Sequence, residues 1–234
     1  MKLVLFDLDG TLMVTRGVGK DAFVEAGQEV FGPPFSLEGV ELGGGLDPQL
    51  IQQCCETAGL QSTQESRRSF RASYVSRLQR ALDEESRLPQ PRHHVLPNVI
   101  PTLEFVQNAP DTVLGLLTGN FEEAADIKLA SVGLSHFEFQ IRVFGDAAPS
   151  RGDMVALAME QCSQMNGISI SPSCVLIVGD TPRDVACAHT QNALCLAVAT
   201  GRYSRQELKQ SGADWVVDTL EDHGPLLQWL QSAG

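Results

Sequence analysis

Lysine is scarce in this chain. Only Lys2, Lys20, Lys128 and Lys209 occur among 234 residues, and lysine and arginine together number 17 against 29 aspartates and glutamates, a formal charge of −12. A surface of that sign repels nucleic-acid phosphates and anionic lipid unless its basic residues cluster, so neither nucleic acid nor membrane is an expected partner. The one basic skew runs from Arg67 to Arg92 in a stretch of helical periodicity, and it reads as a solvated helix face. A charged leader, apolar stretch and cleavage site are also missing: Met1 and Lys2 run straight into Leu3-Val4-Leu5-Phe6 and then Asp7. No apolar run approaches membrane-spanning length. These features predict a soluble, cytoplasmic protein. The cysteines, Cys54, Cys55, Cys162, Cys174, Cys187 and Cys195, form no CxxC pair, which predicts reduced core thiols rather than disulfides or a zinc site. There is no internal repeat or low-complexity tract. Hydrophobic residues make up 43%, enough to bury a core and exclude global disorder. The length suits one full domain with a smaller appendage, not two large ones.

What is present is an alternation. Short runs rich in Val, Leu and Ile over 113–117, 139–143, 174–178, 194–198 and 215–217 alternate with segments of helical period. Near-continuous apolar strands separated by helices predict an α/β fold with a parallel sheet covered on both faces. The first strand, over 2–6, is followed differently. Between Met13 and Leu96 the pattern is helical, over 22–31, 47–58 and 64–82, and reads as an insertion. It ends in Leu88-Pro89-Gln90-Pro91-Arg92, a linker or hinge, with 13–17 as the second crossing. Asp47 and Pro48 open one helix, which Gly59 closes; Asn120 caps another, which Gly133 ends.

Three strands end in an abrupt switch to small polar or acidic residues: Phe6 to Asp7, Leu117 to Thr118, and Val178 to Gly179-Asp180. In an open parallel sheet the crevice beyond the carboxyl ends of the strands is where ligands bind. Asp7-Leu8-Asp9-Gly10-Thr11 places two carboxylates on one side of the chain, and their repulsion calls for a metal or a shared proton. Gly179-Asp180-Thr181-Pro182-Arg183-Asp184 adds two more acids at the start of a helix, where each also reads as an ordinary cap or first-turn acid. Four carboxylates in one crevice suit a hard divalent cation such as magnesium. Thr118, Gly119 and Asn120 offer a hydroxyl and backbone N–H groups to an anion, or serve as a simple cap. Arg151 opens a helix against the macrodipole, either for function or for a surface salt bridge.

Taken in order, these stations closely resemble the haloacid dehalogenase-like hydrolase superfamily, and the layout is similar to its phosphoglycolate phosphatase-type members. The resemblance implies a Rossmann-like core over 1–13 and 97–234 and a helical cap domain over 14–96. It implies Asp7 as the nucleophile that forms an aspartyl-phosphate, and Asp9 as general acid and then base. Thr118, Gly119, Asn120 and Arg151 would hold phosphate oxygens. Asp7, the Asp9 carbonyl and Asp180 would hold Mg2+, with Asp184 as a further ligand or a partner behind it. The third station is most often lysine in the superfamily and is Arg151 here, with a different geometry. Lys128 is a reserve candidate, expected on the outside of its helix.

The acid at Asp9 favours phosphoryl transfer over dehalogenation, because superfamily dehalogenases lack it. A phosphomonoester hydrolase acting on a small phosphorylated metabolite, phosphoglycolate-like, is the expected activity. A phosphosugar mutase of the β-phosphoglucomutase type and a non-catalytic binding protein are the alternatives. Gly43-Gly44-Gly45 is read either as the cap's substrate loop or as an interhelical turn. Arg16 and the arginines of 67–80 either meet an acidic substrate or belong to a solvated face. Monomer and homodimer are both open.

Overall fold

The computed structural model describes residues 1–232. The chain opens with β1 (Lys2–Phe6), turns through β2 (Met13–Val14) and enters three helices, α1 (Val18–Phe31), α2 (Asp47–Thr57) and α3 (Gln64–Glu85). It returns through β3 (His94–Val95) and then alternates: α4 (Val99–Asn108), β4 (Thr112–Leu117), α5 (Glu122–Ser131), β5 (Ile141–Val143), α6 (Arg151–Asn166), β6 (Val175–Gly179), α7 (Pro182–Thr190), β7 (Leu194–Val198), α8 (Arg205–Gln210), β8 (Trp215–Val217) and α9 (Gly224–Gln231). Local chemistry sets many boundaries. Thr63 and Ser66 form a capping box that starts α3, Ser150 caps α6 through the Asp153 N–H, and Ser204 with Glu207 starts α8.

Six strands make one parallel sheet in the order β5-β4-β1-β6-β7-β8. The chain moves outward from β1 through β4 to β5, then crosses to the other side of β1 and lays down β6, β7 and β8. That reversal opens a crevice at the carboxyl ends of β1 and β6. The period of two along β1 feeds both faces: Val4 and Phe6 join a cluster with Leu103, Leu114 and Trp229, and Leu3 and Leu5 join another with Val155, Ile177 and Val185. All five β1 residues are buried. A third cluster belongs to the inserted helices, where Phe23, Phe35, Phe70 and Tyr74 pack ring to ring; Phe121 and Ala124 complete it and seat the insert on α5. Each fully buried phenylalanine of this kind contributes about 1.5–3 kcal/mol.

Several expectations change. β5 begins at Ile141 rather than at 139: Phe139 is buried in the core, but its N–H turns back to the Phe137 carbonyl, and strand pairing starts only when Gln140 reaches Leu114. The two crossings into and out of the insert pair as a short antiparallel ribbon, Met13 with Val95 and Val14 with His94, which no periodicity in the sequence announces. All six cysteines are buried and free. No helix among the described residues is long and apolar enough to cross a membrane.

Candidate active site

The strand ends converge as expected. β1 delivers Asp7, buried at the bottom of a cavity of about 490 Å³ that Asp9, Thr118, Gly119, Asn120, Arg151 and Asp180 also line. β6 delivers Asp180, and the turn into α7 delivers Asp184; a carboxylate oxygen from each of Asp7, Asp180 and Asp184 lies within 4.8 Å of the others. Backbone folds tightly around Asp180. A methyl group on Gly10 or Gly201 would overlap its carboxylate, and Gly10 holds a left-handed φ of 85°. Thr11 donates its hydroxyl to Asp180 at 3.2 Å, while Thr200 donates to the Gly10 carbonyl at 2.6 Å.

One cation answers this cluster. Arg151 Nη2 lies 3.0 Å from Asp7 Oδ2 and 2.5 Å from Asp184 Oδ1, and its side chain is buried. The first turn of α6 therefore carries a basic residue because it is aimed at carboxylates rather than at solvent. A guanidinium has more donors than an ammonium, and one of them, Nε, finds no partner among the described residues. Asp184 is fully engaged: besides Arg151 it accepts the Thr181 N–H at 3.0 Å and the Thr181 hydroxyl at 2.7 Å. Thr181, not Asp180, is the cap of α7. That leaves Asp7 and Asp180 as the carboxylates with free capacity.

Burial pushes the Asp7 carboxyl up to about 6, against the pull of Arg151 and with a further push from Asp184. Asp180 is raised well above the ordinary carboxylate range, by burial first and then by Asp184 and Asp7. Burial alone would lower Arg151, but Asp184 and Asp7 outweigh it and hold its guanidinium firmly charged. Without a further cation the crevice resists carrying all of its negative charge.

Lys128 corrects an expectation. It does not lie on the outside of α5; it is buried, with Nζ 2.6 Å from Asp9 Oδ2 and 2.6 Å from Asn120 Oδ1. Asn120 is likewise not a helix cap. Its Nδ2 donates to Asp9 Oδ2 at 2.8 Å and to the Thr118 hydroxyl oxygen at 2.7 Å, so Thr118 keeps its own O–H free to donate. The start of α5 is held instead from the insert, where Asp47 Oδ2 accepts the Phe121 N–H at 2.9 Å. Sequence reading saw Asp47 only as a helix opener. Its carboxyl is pushed up to about 6 by burial, with Lys128 pulling the other way.

The glycine loop descends onto these groups. Gly43, Gly44 and Gly45 line the cavity, and the Asp47 N–H donates to the Gly119 carbonyl at 2.8 Å. A methyl group on Gly119 would overlap the Gly45 carbonyl, and one on Gly44 would sit 2.7 Å from Thr181 Oγ1. Arg16 also lines the cavity, whereas two of the arginines of 67–80 are committed elsewhere: Arg71 to Glu123 and Asp146, Arg77 to Glu25 and Glu29.

Comparison with known proteins agrees with this layout. The profile of the haloacid dehalogenase-like hydrolases matches residues 1–190. The pyrophosphatase PpaX of Oceanobacillus iheyensis is 25% identical over 95% of this chain and 94% of its own length. Phosphoglycolate phosphatase 1 of Pseudomonas aeruginosa is 27% identical over 94% of this chain and 78% of its own. Among solved structures, CbbY from Rhodobacter sphaeroides in complex with phosphate superposes with a TM-score of 0.73 at 16% identity, covering 96% of each chain, a likeness of fold.

Proposed function

Because the chain belongs to the haloacid dehalogenase-like hydrolase family, we propose that it is a Mg2+-dependent phosphatase that hydrolyses small phosphorylated metabolites through an aspartyl-phosphate on Asp7. The carrying observation is a charge count. Asp7, Asp180 and Asp184 face one guanidinium in a buried crevice, leaving two negative charges that one divalent ion would cancel. The donors are all hard oxygens, the set that Mg2+ takes. Asp7 and Asp180 would hold the ion with the Asp9 carbonyl, and Asp184, already occupied, would stand behind them. When bound, Mg2+ polarises phosphoryl oxygens as a Lewis acid.

The side chains divide the remaining work. Asp7 attacks phosphorus, and the bond to the leaving oxygen breaks as protonated Asp9 passes its proton to that oxygen. Asp9 then takes a proton from the water that attacks the aspartyl-phosphate at phosphorus, releasing phosphate and restoring Asp7. Lys128 and Asn120 both hold Asp9 by Oδ2, which leaves Oδ1 for the moving proton. The Thr118 hydroxyl and the Gly119 N–H, which has no partner among the described residues, receive phosphoryl oxygens; Arg151 balances the charge. The chain then divides into a core over 1–13 and 97–234 and a cap over 14–96, joined at the β2–β3 ribbon, with Gly43, Gly44 and Gly45 as the loop that meets substrate.

Phosphatase is preferred to mutase because relatives spanning nearly the whole chain carry phosphatase and pyrophosphatase names. A phosphoglycolate-like substrate and a cytoplasmic setting belong to the same reading. The test is release of phosphate from an aryl phosphate. Turnover is expected with Mg2+, absent with chelator, and reduced by Asp7→Asn by at least about three orders of magnitude. A wild-type protein that turns over no phosphate ester would instead be a binding module.

A further inference from the structure

We propose that Arg16 and Lys20 form a subsite in the same cavity for a second anionic group of the substrate, a carboxylate or a phosphate; the proposal rests on the phosphatase reading above. Five cationic residues line the cavity: Arg16, Lys20, Lys128, Arg151 and Arg202. Three are answered, Arg151 by Asp7 and Asp184, Lys128 by Asp9, and Arg202 by Glu41. Arg16 and Lys20 have neither an ion pair nor a side-chain hydrogen bond among the described residues, although acids greatly outnumber bases in the chain.

Their backbone setting is costly for residues that do nothing. Arg16 has a φ of 44°, in the left-handed region that a side-chain-bearing residue rarely adopts, and its side chain is exposed, so packing does not repay the strain. Lys20 stands in the first turn of α1, where a cation opposes the helix dipole. Asp21, the acid of that turn, faces Arg92 at 3.8 Å and belongs to a different hollow. An anion held between Arg16 and Lys20 would reconcile both placements.

The location suits a leaving group. A side chain on Gly19 would lie 3.3 Å from Thr15 Oγ1 and 3.8 Å from Lys128 Cε. Lys128 in turn reaches Asp9 at 2.6 Å. The head of α1 is thus one side chain removed from Asp9, the residue assigned to the leaving oxygen. Phe23 and Leu42 wall the space nearby, which favours a short carbon spacer between the two anionic ends.

A matched series tests this: propyl phosphate, the corresponding phosphooxypropionate, and propanediol bisphosphate. Wild-type kcat/KM for at least one of the two doubly anionic compounds is expected to exceed that for propyl phosphate by at least about tenfold, mainly through KM, the scale of one charge-assisted contact. Which compound gains more identifies the anion. In Arg16→Gly/Lys20→Ala the ratio is expected to fall to near one, and in Lys20→Glu further still. Glycine relieves the φ strain at 16, so thermal melting should show both variants folded. A wild-type ratio near one, or a ratio that survives the double substitution, overturns the subsite while leaving the phosphatase reading in place. Failure of wild type on all three compounds and on aryl phosphate brings down the phosphatase reading and the subsite with it.

Discussion

Asp47 carries a charge into a place that disfavours it. Its carboxyl is held at about 6 against an ordinary 3.8, so the folded chain retains this proton more strongly than the unfolded chain does. The resulting stability is fully present below about pH 4 and is lost as pH rises through 6. Asparagine keeps an oxygen to accept the Phe121 N–H and brings no charge. Asp47→Asn is therefore expected to match wild type near pH 4 and to become more stable by up to about 3 kcal/mol above pH 7, read from urea melts across that range. A difference that does not change with pH would contradict this. The signals for Asp7, Asp9, Thr118, Asp180 and Asp184 were local, an apolar strand breaking into polar residues, and for that reason they were legible in the sequence. Asp47 and Lys128 were not, because their surroundings come from other elements. Lys128 did leave a trace: it follows Ala124 and Ala125 by four and three residues, on the buried face of α5.

At the scale of elements, the pieces carried by a continuous apolar run or a helical period could be read, and the two-residue ribbon could not. β1, β7 and β8 fall where their apolar runs predict, because burial along each strand is nearly continuous, and α2 and α3 begin where expected, one with Pro48 in its first turn and the other at the Thr63–Ser66 capping box. The β2–β3 ribbon is only two residues deep and draws its pairing from the meeting of both crossings, which no window along the chain contains. The same holds for the stacking of loops over the site. Gly119 accepts the Asp47 N–H, lies under the Gly45 carbonyl, and abuts Gly145, so loops after β4 and β5 and the loop before α2 meet where no side chain fits. Gly119→Ala must push the glycine loop off the core. The expected cost is about 1–3 kcal/mol in melting, with a rise in KM for small phosphate esters because the cavity roof is displaced. Unchanged KM and unchanged melting would mean that the three loops do not meet in solution.

Across the whole molecule, the sheet reversal at β1 and β6 concentrates unfavourable charge at one point, and folding energy from three hydrophobic clusters has to sustain it. Such sites exchange stability for function. Asp180 shows the exchange most clearly, since burial and its two acidic neighbours all oppose its ionisation. Asp180→Asn retains an oxygen for the Thr11 hydroxyl and removes one of three crowded charges, so in chelator the variant is expected to melt higher than wild type. Adding Mg2+ should reverse the order. Wild type gains by mass action, about 2.7 kcal/mol when the ion is at a hundred times its Kd, or several degrees for a chain of this size, while the variant gains little. Calorimetry with chelator and then with Mg2+ reads both halves. A variant that melts lower than wild type in chelator would show that the three carboxylates do not repel one another as their burial requires, and an equal Mg2+ response in both proteins would place the ion somewhere other than the β1–β6 crevice.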